Sequence, residues 1–168
     1  ESAVLPRVFL PAKTPSEARR ILGLPQDTFL VATFGLVSPA KHVDRAIEGF
    51  RQFLISGIDA KFLVVGEVQN GYRFDDNLTS SLKDKLVFVG RQTMENFYLY
   101  MLACDVVINL RFPSTGELSG TLIRTLGMGK PVLVSNSGQF ADFPEHTVAR
   151  IDLGPPEVPS IRNTLKWF

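Results

Sequence analysis

One cysteine, two histidines and one tryptophan are all that this chain of 168 residues holds of those types. A lone thiol, Cys104, can form no internal disulfide, which excludes an extracellular disulfide scaffold. It follows an apolar helical run, where a buried, inert thiol is expected rather than a nucleophile. His42 and His146 have no other ligands around them at a local metal spacing, so no metal site is expected. No apolar stretch approaches the roughly 20 residues that span a bilayer. Glu1-Ser2-Ala3-Val4 lacks the basic-then-apolar form of a signal peptide. Neither sign of charge is in excess: 18 Lys and Arg stand against 17 Asp and Glu. That balance gives no reason to expect nucleic acid or an anionic membrane as partner. The common phosphate-loop signatures are missing too. No Gly-x-Gly-x-x-Gly follows the first strand, and Gly127-Met128-Gly129-Lys130 runs into Pro131 where a Walker loop needs Ser or Thr for magnesium. With 45% apolar residues, the chain reads as one soluble, cytoplasmic domain, long enough to bury a full core and too short for two large ones.

What is present is a regular alternation. Thr14-Pro15-Ser16-Glu17 is a capping box with proline at the first helical position, and predicts a helix over Ala18, Ile21 and Leu22 that stops at Gly23. Continuous apolar runs at 29–34, 61–66, 86–90, 106–110 and 131–135, with a sixth at 148–153, predict strands buried on both faces. Between them, Val43, Ala46, Ile47, Phe50, Phe53 and Leu54 share one helical face. A weaker helix is expected around Leu78 and Leu82. Thr93 caps one containing Phe97, Met101 and Cys104, and a short one closes at Gly129. This alternation implies right-handed crossovers and a three-layer, Rossmann-like α/β domain with a parallel sheet of about six strands. Residues 1–12 are expected to be a lead-in strand or linker, and 156–168 a C-terminal helix cut short, with Pro155–Pro159 opening the segment and the helical pattern itself read over Ile161–Phe168. Lys166-Trp167-Phe168 ends on large aromatics that no following chain covers, which reads as a boundary inside a longer protein.

In parallel sheets ligands sit outside the carboxyl ends of the strands. The loops that matter are therefore 35–41, 66–70, 90–93 and 111–120. Gly35 opens the first, allowing close backbone approach, and Lys41 ends it with an ammonium that suits a diphosphate or, equally, bulk water. The last loop carries Glu117, Ser119, Gly120 and Thr121 at a helix start. Amides and hydroxyls there bind phosphate, and an acid beside them accepts hydrogen bonds from a sugar. The same residues also make an ordinary helix cap. Arg124, one turn on, reaches either a ribose or phosphate, or solvent.

The segments 34–41, 63–66, 87–90, 103–108, 113–120 and 129–132 together resemble, in order and spacing, the C-terminal half of a GT-B glycosyltransferase. The likeness is to the large retaining family 4, or group 1. It implies a donor domain for a UDP- or GDP-linked hexose, with the acceptor held by a separate N-terminal domain outside this chain. It implies that Lys41 neutralises the departing diphosphate and that Glu117 contacts the transferring sugar. Ser119, Gly120 and Thr121 would hold the phosphates, with Gly90 and Arg91 beside the base. No essential metal or other cofactor is implied, and any membrane contact belongs to the missing half. Two positions depart from the family pattern. Leu36 stands where a loop arginine is usual, and Arg124 where the donor helix carries a second acid. The isolated domain is expected to bind nucleotide weakly and to transfer nothing. The rival readings are a nucleotide-sugar epimerase of the same fold and a non-catalytic binding module.

Overall fold

The computed structural model describes residues 13–114, 116, 119–144 and 146–168. The segment 1–12, expected to be a lead-in strand or linker, lies outside them. Among the described residues six strands form one sheet: β1 (Phe29–Phe34), β2 (Ala60–Val65), β3 (Leu86–Phe88), β4 (Val106–Asn109), β5 (Val132–Ser135) and β6 (Ala149–Ile151). Their order is β3-β2-β1-β4-β5-β6 and every neighbouring pair is parallel. The helices are α1 (Pro15–Leu22), α2 (Val43–Leu54), α3 (Asp76–Leu82), α4 (Met94–Ala103), α5 (Gly120–Gly127) and α6 (Glu157–Leu165).

The apolar runs divide between two cores, as a strand period of two requires. Val31, Phe62, Val64 and Ile108 point to one face, where they meet Ile47, Phe50 and Phe53 of α2 and Ile161 of α6. Ala32, Phe34, Leu63 and Val107 point to the other, against Met101 of α4 and Leu122 of α5. Helices thus cover both faces of the sheet, which confirms the three-layer α/β reading. The expected thiol behaviour also holds: Cys104 is fully buried and burial pushes its pKa up to about 12.

Two boundaries differ from expectation. The third strand ends at Phe88, which is exposed at the sheet edge because β3 pairs with β2 alone. The last helix begins at Glu157, and Pro159 sits in its first turn, where a missing N–H costs nothing. It stops at Leu165 and leaves Trp167 exposed.

The capping box of α1 is present as the sequence predicts, with the side chains of Thr14 and Glu17 bonded to each other's backbone amides. Arg19 of the same helix is buried, which helical periodicity does not reveal. Its guanidinium donates to the carbonyls of Ala103 (2.9 Å), Gln26 (2.6 Å) and Thr28 (3.1 Å) and to the Asp105 carboxylate (2.7 Å). Asp105 in turn accepts from the Leu30 amide at 2.7 Å. This network pins the amino ends of β1 and β4 together and so sets the pairing Val31↔Val106. Replacing Arg19 by Met leaves the Asp105 carboxylate and three carbonyls without their donor. Urea unfolding should register a loss of roughly 3 kcal/mol; a change below about 1 kcal/mol would show that water replaces the guanidinium without cost.

Candidate functional site

The strand order fixes where a ligand can enter. From β1 the chain moves outward through β2 to β3, then returns to β4 and moves outward the other way. The loops after β1 and β4 therefore diverge, and the crevice between them is the switch point at which open α/β sheets bind ligands.

The β1 side begins at Gly35, whose φ of 88° favours glycine. Its amide donates to Val65 O at 2.9 Å. The next strand end is as tightly held: a Cβ on Gly66 would lie 2.0 Å from the Gly35 carbonyl oxygen. Pro39–Lys41 forms a single 3-10 turn, followed by His42 in the left-handed region (φ 47°) and then α2. This turn folds Lys41 back over its own strand, so that its Nζ donates to Phe34 O at 2.5 Å. A Cβ on Gly35 would stand 2.9 Å from that Nζ and 3.7 Å from Thr121 Oγ1. Burial, reinforced by the nearby Arg111 guanidinium, lowers the Lys41 pKa from 10.5 to about 8. His42 anchors the turn from behind, its Nδ1 lying 2.7 Å from Oε1 of the buried Glu157 at the start of α6.

The β4 side meets it directly. The Arg111 amide donates to the buried Ser135 hydroxyl at 2.9 Å, and the Phe112 amide donates to Ala40 O at 2.8 Å. Ser119 is buried and caps α5, accepting from the Leu122 amide at 3.3 Å and donating to Asn109 Oδ1 at 3.2 Å. Its hydroxyl is thus committed to the cap. The amides of Gly120 and Thr121 precede the first helical bond, from Ile123 to Ser119. Arg124 folds back toward this end of its own helix. Its Nη1 lies 2.7 Å from where a Cβ on Gly120 would stand, and its Nε donates to Tyr98 Oη at 3.2 Å.

Of the residues singled out in the sequence, Gly35, Lys41 and Thr121 converge on one point, with Gly120 and Arg124 beside it. Gly90, with a φ of 74°, and the exposed Arg91 lie beyond β3, toward the sheet edge, where Arg91 is 3.8 Å from Glu67. Glu117 lies outside the described residues. Arg111 escaped the sequence reading. Its available signal was a cation at the first position after a fully buried strand, on the side of the sheet where the loops matter.

A parallel 3-2-1-4-5-6 sheet with a glycine-and-lysine loop facing a helix start across the switch point is the architecture of a GT-B C-terminal domain. The chain belongs to the family of glycosyl transferases group 1, whose model matches residues 15–168. Among solved structures it is similar to the C-terminal domain of LpcC, a group 1 glycosyl transferase of Francisella tularensis. Identity is 20% and TM-score 0.77, over 95% of this chain and 84% of that one. It is also similar to Anabaena HepE, solved in complex with UDP and glucose (21% identity, TM-score 0.72, 91% of this chain and 41% of that one). A third is WaaG, a glycosyltransferase involved in lipopolysaccharide biosynthesis (19% identity, TM-score 0.75, 97% and 44%). At these identities the likeness is one of fold. The chain spans about two fifths of HepE and WaaG. No curated protein sequence matches it.

The depressed lysine has a consequence for stability with a definite sign. In the unfolded chain Lys41 holds its proton up to about 10.5, whereas in the folded chain it releases it near 8. The folded state therefore binds fewer protons between these values, and stability rises with pH across that window. The destabilisation is complete below pH 8 and gone above about 10.5. In urea unfolding, the stability of the wild type relative to Lys41→Met should climb between pH 8 and 10.5. A flat difference would mean that the ammonium is solvated as in water.

Proposed function

We propose that this chain is the donor-binding domain of a retaining glycosyltransferase that moves a hexose from a UDP- or GDP-sugar to an acceptor held by a second domain. The observation that carries this reading is the meeting of Gly35, Lys41 and Thr121 at the switch point, with a half-desolvated ammonium that no described carboxylate neutralises. A diphosphate fits there. Gly35 keeps a side chain out of its way, the Lys41 ammonium donates to it, and the Gly120 and Thr121 amides and the Thr121 hydroxyl face its oxygens. HepE structures containing UDP and UDP-glucose support a nucleotide-sugar ligand in this fold.

In transfer, the bond between the sugar and the diphosphate breaks and negative charge grows on the departing oxygen. A positive group already placed there, and already stripped of water, lowers the barrier without reorganisation. That is the part assigned to Lys41. Glu117 would accept hydrogen bonds from hydroxyls of the transferring sugar, and Ser119 would hold the loop through its cap. Gly90 and Arg91 would border the base, and Arg124 the ribose or phosphate. Positioned cations do the work of a metal, so none is required. The acceptor needs the second domain, so this chain alone should bind donor without transferring it.

Chemical-shift titration with UDP and GDP should perturb Gly35, Gly90, Arg91 and Gly120–Thr121 saturably. Lys41→Ala should weaken that binding by roughly 10- to 100-fold, the worth of one charge-assisted hydrogen bond. Absence of any perturbation at millimolar nucleotide would sink the reading. In the whole enzyme, Glu117→Gln should reduce transfer far more than it reduces binding of the bare diphosphate. Equal losses would make Glu117 a structural residue.

A further inference from the structure

The β1 loop supplies a single cation. Residues 35–41 contain Lys41 and no other charged side chain, and Leu36 presents an exposed apolar one. A diphosphate carries at least two charges, spread over two phosphoryl groups. One ammonium behaves as a point charge and satisfies one of them, whereas a guanidinium fork spans neighbouring oxygens.

The segment after the neighbouring strand holds such a fork. Arg111 lies two residues beyond β4, three features hold its main chain against the Lys41 loop, and its guanidinium is near enough to Lys41 to help lower that ammonium's pKa. Its own amide is tied to the buried Ser135 hydroxyl, at 2.9 Å. The residue after it donates to the residue before Lys41, from Phe112 N to Ala40 O at 2.8 Å. Both lie at the switch point, where β1 and β4 are paired neighbours. Among the described residues neither Arg111 nor Lys41 takes part in an ion pair. Two like charges on segments tied together by main-chain bonds, both partly buried, repel each other until an anion lies between them.

We propose that Arg111 is the second cation of the phosphate subsite, and that the pair it forms with Lys41 selects a diphosphate over a single phosphate. This rests on the donor-binding reading above and adds the group that sets the charge of the ligand. Lys41 approaches the anion from the β1 side and Arg111 from the β4 side, while Gly120 and Thr121 close it from the start of α5. One phosphoryl group can touch either cation; only two linked ones can engage both in full.

The test measures, by calorimetry on this chain, binding of inorganic pyrophosphate and orthophosphate and of UDP and UMP. The proteins compared are the wild type, Arg111→Gln, Arg111→Lys and the control Arg20→Gln, which removes one exposed charge from α1. Arg111→Gln should weaken pyrophosphate and UDP by about tenfold or more while changing orthophosphate and UMP less than about threefold. Arg111→Lys should recover part of the loss, and Arg20→Gln should change nothing. The Lys41 side-chain amine, followed by NMR, should titrate higher in Arg111→Gln than in the wild type, a readout that a merely structural role would leave in place. An equal loss for mono- and diphosphates, or no loss, overturns the proposal, as does a Lys41 titration that stays put. If the wild type binds pyrophosphate but neither UDP nor, in the same calorimetry, GDP, the donor reading fails while the assignment of Arg111 is decided by the pyrophosphate-to-orthophosphate ratio. If it binds none of them, both fall.

Discussion

Holding a lysine ammonium away from water, with a guanidinium for a neighbour, is unfavourable, and the crevice at the head of this sheet is organised around that cost. Among the described residues Lys41 has one protein acceptor, the Phe34 carbonyl of its own strand. The geometry that produces this is built from backbone. Gly35 turns the chain with a positive φ, Pro39–Lys41 tightens it, and His42 in the left-handed region aims α2 away from the crevice. A site that keeps its cation partly desolvated before the ligand arrives has already met part of the solvation cost that binding would otherwise exact.

The same reasoning explains why support for the loop comes from so far along the chain. Glu157 is buried at the start of α6, and its partner is His42, immediately after Lys41. α6 packs on α2 closely enough that a Cβ on Gly49 would fall 2.6 Å from Ile161 Cγ2. α6 is thereby fastened to the loop that opens the candidate site. At the opposite end of the strands, the Arg19 network aligns β1 with β4. The crevice is framed by constraints at both ends of the two central strands.

Most of the fold was legible because its signals are local. Runs such as Phe29–Phe34 need no partner to be read as strands buried on both faces, and the Thr14–Glu17 box declares a helix start on its own. The start of α6 was harder, because Pro159 reads as a break unless it is known to occupy a first turn. The site was legible where a residue type carries a geometric demand, as Gly35 and Lys41 do, and where helix-start chemistry marks Gly120 and Thr121. Arg19 and Arg111 were not legible, since an arginine in sequence looks the same whether it faces water, a ring of carbonyls or another cation. What separates them is the tertiary pairing of β1 with β4, which no local pattern encodes. Arg124 was noticed as a departure from a pattern, yet its fold-back onto Gly120 and its tie to Tyr98 appear only in three dimensions.

The contact between Gly66 and Gly35 reaches beyond the crevice itself. No Cβ fits at position 66, because the Gly35 carbonyl occupies its place. The tip of β2 touches no ligand in the arrangement described, yet it is bound by the same restriction as the loop that does. The freedom of this domain to change its sequence is therefore unevenly distributed. Where the Gly35 carbonyl lies against Gly66 almost no variation is admitted, and change is left to the surrounding positions, where Leu36, Arg91 and Phe112 are exposed.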